Sequence, residues 1–92
     1  MLYLIMEVKE ERLVGEITHY YDKIGVAVVK ALAPIEIGQT IHIKSDGGKT
    51  DFTQTVESME TEHQRTDKVE AGQVIGMKVV QKVEKGDKIY LL

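Results

Sequence analysis

The stretch from Ile35 to Ile43 has the sequence I-E-I-G-Q-T-I-H-I, and the chain repeats its pattern twice more. The other copies are V-E-A-G-Q-V-I-G-M, from Val69 to Met77, and V-E-K-G-D-K-I-Y-L, from Val83 to Leu91. In each copy a β-branched residue and a Glu precede a Gly, then Gln or Asp, then a run with an Ile in the same place. Gly accepts the backbone angles of a tight turn, and alternation is typical of a strand with one apolar face. The pattern therefore predicts a turn followed by a strand that re-enters a sheet.

The three copies are unequally spaced, which does not fit the fixed period of a stacked repeat protein. A small β-barrel, in which successive strands turn and rejoin the sheet, fits better. We predict an all-β fold with six to seven strands, a closed or nearly closed barrel over residues 11–92, and little or no helix. The inward positions of the strands are predicted to share one core, formed around Ile41, Val56, Ile75 and Ile89.

Composition limits the chain to one modest domain. Its 92 residues are 42% hydrophobic and 29% charged, with one Pro, which is typical of a folded chain without a membrane span. Cys is absent, so disulfides and thiolate metal sites are excluded, and we expect a cytoplasmic protein. The formal net charge of -3 gives no global positive field for phosphate backbones, so any contact with nucleic acid must be local.

The first ten residues differ from the rest. The opening M-L-Y-L-I-M is apolar but short and follows no cationic segment, so we do not predict a signal peptide. Apolar residues alternate along it at Leu2, Leu4, Met6 and Val8. Residues 1–10 are therefore predicted to be an extra edge strand or an arm, and either Met1 or Met6 could be the start of translation.

Two hairpins are predicted. Strands over Leu13 to Tyr20 and Gly25 to Ala31 flank a four-residue connection, and alternation places Leu13 and Ile17 on one face of the first strand. The second turn, S-D-G-G-K-T, contains Gly-Lys-Thr, as phosphate loops do. Ile43 stands where that motif needs a Gly, and a strand is predicted where it needs a helix. We therefore expect a hairpin turn there and no nucleotide site.

The strand after this turn is predicted to bend. Phe52 and Val56 share one face of the stretch from Asp51 to Met59, but Met59 falls out of phase. A β-bulge near Glu57 and Ser58 would turn Met59 inward.

At this point the order of the motifs resembles a known family. The series G-E-I-T-H-Y, K-I-G-V-A-V-V, A-P-I-E-I-G-Q-T-I-H-I, T-V-E-S-M-E and the last two Gly phrases resembles the second domain of elongation factor Tu and other translational GTPases. It is more similar to the C-terminal barrel of the collagenase-like peptidase family and to small free-standing elongation-factor-like proteins. The resemblance covers residues 13–92 and implies a translation-factor-type β-barrel. In that family the barrel docks beside a GTPase or catalytic domain and can contact the acceptor end of transfer RNA.

Catalytic and metal-binding chemistry find little support in the sequence. His19, His42 and His63 lack the spacing of paired metal ligands, although a barrel could bring His19 and His42 together for a metal or pH-sensing role. Ser45 and Ser58 have no visible His and acid partners. We predict no catalytic residue, no metal and no cofactor.

The clearest binding motif is T-H-Y-Y-D-K at a predicted hairpin tip. Aromatic rings stack on bases or anchor protein partners, and Lys binds phosphate. The predicted site is Tyr20, Tyr21 and Lys23, with Lys44 and Arg65 in support; the alternative is that one Tyr packs on the barrel while the other caps the hairpin. We predict a non-catalytic binding module for RNA, either transfer or ribosomal, or for a component of translation or RNA modification. The alternative is a protein-interaction module that docks to a separately encoded catalytic subunit or self-associates.

Overall fold

The structure is a computed structural model that describes residues 11–92. This part of the chain is all β, as predicted, and none of its residues forms a helix long and apolar enough to cross a membrane. The predicted arm, residues 1–10, lies outside the described residues. The strands are β1 (Arg12–Tyr21), β2 (Val26–Ala31), β3 (Ile35–Glu36), β4 (Thr40–Lys44), β5 (Asp51–Thr55), β6 (Met59–Thr61), β7 (Gln64–Arg65), β8 (Lys68–Val69), β9 (Val74–Lys78) and β10 (Lys88–Leu91).

Eight of these strands form one antiparallel sheet in the order β5-β4-β10-β1-β2-β9-β6-β7, and β3 pairs with β8. Between residues 11 and 92 no ladder joins β5 to β7, so backbone pairing does not close the sheet and the closed barrel stays a prediction. The sheet nevertheless curls. The side-chain amide of Gln54 on β5 donates to the Lys78 carbonyl and accepts from the Val80 N–H, both at 2.9 Å, at the end of β9.

The three Gly phrases fold in the same way. Their glycines, Gly38, Gly72 and Gly86, have φ values of 95°, 95° and 96°, as the third position of a type II turn requires. The residue after each Gly accepts a hydrogen bond from the backbone N–H of the Glu three positions earlier. The pairs are Gln39 with Glu36 (2.9 Å), Gln73 with Glu70 (2.7 Å) and Asp87 with Glu84 (2.9 Å). The Gln or Asp is thus part of the turn.

Each turn also docks on one buried residue of another segment. The Gly N–H donates to the carbonyl of that residue, and the N–H of that residue donates to the carbonyl of the Gln or Asp. The docked pairs are Gly38 with Val56 (2.9 and 2.8 Å), Gly72 with Ala31 (2.7 and 2.8 Å) and Gly86 with Ile17 (2.7 and 2.8 Å). Because the docked residues are fully buried, these hydrogen bonds attach each Gly turn to the core and satisfy buried backbone groups.

The core contains the predicted residues. Ile41, Val56 and Ile89 are 0% exposed and Ile75 is 2% exposed, which confirms their shared inward phase. Met59 is also buried. The predicted bulge is instead a break, because β5 ends at Thr55 and β6 begins at Met59.

The prediction of simple alternation along β1 is wrong. The register of β1 shifts between Leu13 and Gly15 against β10, and again between Ile17 and His19 against β2. These irregularities turn both Val14 and Ile17 inward and leave Leu13 exposed. The two irregularities therefore allow β1 to pair with β10 on one side and with β2 on the other, although the two pairings differ in register.

Candidate functional site

The β1–β2 hairpin ends in a turn at residues 22–25. The backbone N–H groups of Ile24 and Gly25 donate to the Tyr21 carbonyl, at 3.3 and 2.9 Å, and Gly25 has a φ of 67°. The turn begins one residue later than predicted, because Tyr21 is the last residue of β1. The side chain of Tyr21 therefore lies on the sheet face, immediately before the tip.

The two adjacent tyrosines of the hairpin have different environments. Tyr20 is half-buried and packs against the hydrophobic core. Tyr21 is 51% exposed, and its ring lies edge-on to the ring of His19, with centroids 4.4 Å apart and planes at 67°. Of the two, Tyr21 is the ring available to a partner.

Two shallow pockets meet at Ile24, whose side chain is 60% exposed. One, of about 320 Å³, is lined by the consecutive residues from His19 to Ile24. The other, of about 300 Å³, is lined by Ile24, Val26, Ser58, Glu60, Gly76 and Lys78. Tyr21, Val26 and Lys78 are neighbours across β1, β2 and β9. We call the surface formed by Tyr21, Ile24, Val26, Gly76 and Lys78 the tip face.

Gly76 has no side chain and therefore leaves a depression in the middle of the tip face. A Cβ added at this position would lie 3.3 Å from the Cγ1 of Val26. Since Gly76 lies beside Val28 and diagonally beside Val26, the absent side chain leaves a trough. Its other lining residues are apolar Ile24 and Val26 and polar Ser58, Glu60 and Lys78.

Lys78 is a cation of this surface that sequence analysis missed. Its Nζ donates to the Ile24 carbonyl at 3.0 Å, and the next residue, Val79, donates its N–H to the Gly25 carbonyl at 3.0 Å. The end of β9 thus supports the hairpin tip. Only the pairing of β2 with β9 reveals this neighbour, because Lys78 is distant from the tip in sequence.

The structure does not gather all five predicted site residues. Tyr20, Tyr21 and Lys23 line the pocket at the tip, but Lys44 and Arg65 line neither pocket of the tip face. Lys44 lies on β4, and β10 separates that strand from β1. Arg65 lies on β7 at the edge of the sheet, with β9 and β6 between it and β2.

Lys44 belongs instead to a polar cluster on the outer side of β4, β5 and β10. Glu11 binds both Lys44, at 2.8 Å between Oε1 and Nζ, and His42, at 2.5 Å between Oε2 and Nδ1. The Nε2 of His42 lies 2.5 Å from Oδ1 of Asp51. The Nζ of Lys44 also lies 4.8 Å from the centroid of the Tyr90 ring. We call Glu11, His42, Lys44, Asp51 and Tyr90 the outer cluster.

The charges of the outer cluster shift one another's protonation. Hydrogen bonds to Glu11, and then to Asp51, raise the pKa of His42. Hydrogen bonds from His42, and then from Lys44, lower the pKa of Glu11. The suggested pairing of His42 with His19 does not occur, because His19 packs on Tyr21. The carboxylates lie at opposite ring nitrogens, and residues 11–92 contain no group of three His, Cys, Asp or Glu placed to hold a metal.

The Gly-Lys-Thr sequence lies in a hairpin turn, as predicted. The Ser45 N–H donates to the Thr50 carbonyl at 2.9 Å, and the Thr50 N–H donates to Oγ of Ser45 at 3.0 Å. Lys49 forms an exposed ion pair with Glu84, with 2.8 Å between Nζ and Oε2. A strand, β5, follows the turn where a phosphate loop would have a helix.

The chain was compared with known families, proteins and solved structures. No family model matches the chain. The chain is 32% identical, over 81 residues, to the Uncharacterized protease MJ0090 of Methanocaldococcus jannaschii; the match covers 86% of this chain and 19% of that protein. The chain therefore spans about a fifth of the length of its curated relative.

Two solved structures have the same fold. Both are of the C-terminal domain of a Geobacillus thermoleovorans putative U32 peptidase. One has a TM-score of 0.81 at 18% identity, covering 88% of this chain and 92% of that domain. The selenomethionine variant has a TM-score of 0.79 at 19% identity, covering 85% and 96%. The likeness to the elongation factor domain stays a prediction, whereas the fold of this chain is that of a U32 peptidase C-terminal domain.

Proposed function

We propose that this chain is a non-catalytic binding module that docks on a protein partner through the tip face. The observation that carries the proposal is the pair of exposed apolar side chains, Tyr21 and Ile24, beside the trough at Gly76. Exposed apolar groups around a concave surface are typical of protein contacts, and Tyr is enriched at their centres.

The charges around the tip face support a protein partner over a polyanion. Lys23 and Lys78 are the cations near the tip, while Asp22 and Glu60 line the same two pockets. The local charge is therefore nearly balanced, and the whole chain has a formal charge of -3. A protein interface with an apolar centre and a mixed polar rim matches this distribution better than a phosphate backbone does.

The partner that we propose is a catalytic domain, on the same polypeptide or separately encoded. The proposal is supported by the length of the relative, of which this chain matches 19%, and by the solved neighbours, which are C-terminal domains of a longer protein.

The buried polar residues between residues 11 and 92 support a role without catalysis, because two of the three hold the backbone with their side chains. Gln54 bridges β5 and the end of β9, and Asp87 closes the third Gly turn, whereas Thr50 closes the β4–β5 hairpin through its own backbone. These side chains stabilise the fold, because an unpaired buried backbone group is costly.

Affinity measurements with matched variants test this function. The probe is the purified catalytic portion of a U32-type peptidase from the same host, expressed without its C-terminal domain. Tyr21→Ala combined with Ile24→Ala should weaken binding at least about tenfold, as the loss of central interface residues does. The control is Leu13→Ala with Leu32→Ala, which removes exposed apolar groups at the opposite end of the same hairpin. Equal loss in both double variants would contradict docking through the tip face.

RNA binding is the second candidate, favoured by the ring of Tyr21 close to Lys23 and Lys78. Because these two lysines would neutralise few phosphates, the affinity for RNA should be weak and should depend only slightly on salt concentration. Stacking would supply about 1–3 kcal/mol for each base engaged. A titration with a short single-stranded RNA tests this: a loss of binding in Tyr21→Ala would favour RNA, and an absence of binding by the parent would exclude it.

A further inference from the structure

The outer cluster contains a hydrogen-bond arrangement that requires a particular protonation state. Both ring nitrogens of His42 face carboxylate oxygens, one from Glu11 and one from Asp51, each at 2.5 Å. An ionised carboxylate only accepts hydrogen bonds, whereas a neutral imidazole has a single N–H. Both contacts exist together only when His42 is a doubly protonated imidazolium.

The three residues come from three separate segments. Glu11 directly precedes β1, His42 lies in the middle of β4, and Asp51 begins β5. We propose that Glu11, His42 and Asp51 form a proton-dependent clasp, in which one proton on His42 fastens both the start of β1 and the start of β5 to β4.

The groups between residues 11 and 92 that pair with or bind beside His42 are consistent with this role. Lys44, two residues along β4, binds the second oxygen of Glu11, and its charge opposes that of the imidazolium. Tyr90 on β10 and Thr53 on β5 pair with His42 across the sheet and add neither a carboxylate nor an ammonium group. The two carboxylates outweigh the single ammonium, so the protonated ring is favoured and the pKa of His42 is raised.

The clasp opens in a defined order. When His42 loses a proton, one carboxylate loses its donor. Lys44 still holds Glu11, whose side chain is 24% exposed, whereas the side chain of Asp51 is 62% exposed and is easily hydrated. The side chain of Asp51 therefore separates first and Glu11 stays attached, while the backbone pairing of β5 with β4 is kept.

The sign of the pH dependence follows from the raised pKa. A histidine with a raised pKa in the folded state contributes stability that is fully present below its unfolded pKa of about 6.5. This contribution is lost as the pH rises through the folded value. The clasp is thus closed below a pH of about 6.5 and opens as the pH rises through the raised pKa of His42.

Titration of the whole chain by NMR tests the clasp. The midpoint of the His42 ring signal should lie above about 6.5, the value for a free histidine. Glu11→Gln should lower this midpoint most and Asp51→Asn by a smaller amount, because Glu11 is the larger cause of the shift. The control His63→Gln, in the β6–β7 turn, should leave the His42 midpoint in place.

Two further readouts separate a clasp from a passive contact. The carboxyl carbon signal of Asp51 should change in the same step as the His42 ring, before that of Glu11. The urea midpoint of the parent should fall across this step, and His42→Gln should abolish the fall. A His42 midpoint at or below about 6.5, or one unmoved by both carboxylate variants, would overturn the proposal.

Discussion

The outer cluster and the tip face are two parts of one sheet surface, and they have opposite characters. In the outer cluster Glu11, His42, Lys44 and Asp51 satisfy one another through hydrogen bonds and ion pairs. In the tip face Tyr21 and Ile24 expose apolar surface to water beside an open trough. This difference is the reason that we propose the tip face, and not the outer cluster, as the docking surface, because large exposed apolar patches are typical of interaction sites.

The strongest test of this contrast compares two isoleucines. Ile89 on β10 is fully buried in the core, and Ile24 is exposed on the tip face. Ile89→Ala should lower the free energy of unfolding by about 2–5 kcal/mol, because it removes a buried side chain and leaves a cavity. Ile24→Ala should change it by less than about 0.5 kcal/mol. Urea unfolding measures both, and similar losses would mean that the tip face is part of the core.

A second pair of variants tests how much the side-chain hydrogen bond of the third Gly turn contributes to stability. Asp87 is buried, and its carboxylate accepts from the Glu84 N–H. Asp87→Ala should cost about 1–3 kcal/mol, since that N–H loses its partner. Asp87→Asn keeps an acceptor oxygen, much as Gln39 and Gln73 do in the other copies, so it should cost less. If the two variants unfold at the same urea concentration, the turn bond contributes nothing.

The adjacent tyrosines sharpen the contrast within the hairpin. Tyr20→Ala removes a half-buried ring that packs on the core and should cost about 1–2 kcal/mol, part of the value for a fully buried side chain. Tyr21→Ala should leave stability within about 0.5 kcal/mol, because the ring is largely exposed. Thermal unfolding of the two variants checks this order, and the reverse order would assign the core role to Tyr21.

The sequence predicted the features that depend on local patterns. The Gly turns, the hairpin at S-D-G-G-K-T and the inward phase of Ile41, Ile75 and Ile89 all follow from spacing within a few residues, and the structure confirms them. The bulges of β1 could not be predicted in this way. They arise because β1 pairs with both β10 and β2, and that order is a property of the whole sheet.

The composition of the tip face and of the outer cluster depends even more on the order of the strands in the sheet. Tyr21 and Lys23 were predicted because they are close in sequence, but Lys78 reaches the tip only through the pairing of β2 with β9. The sequence suggests a pH-sensing role for His42 with His19 as its neighbour. The actual neighbours, Glu11 and Asp51, come from segments that alternation alone could not bring together.

The most direct test of the central claim is an NMR footprint. Amide signals of the labelled chain would be followed while the purified catalytic portion of a U32-type peptidase from the same host is added. Docking through the tip face predicts shifts confined to residues 19–28 and 74–79, with the amides of His42, Lys44 and Asp51 unmoved. Shifts centred on the outer cluster, with the tip face unchanged, would contradict the account.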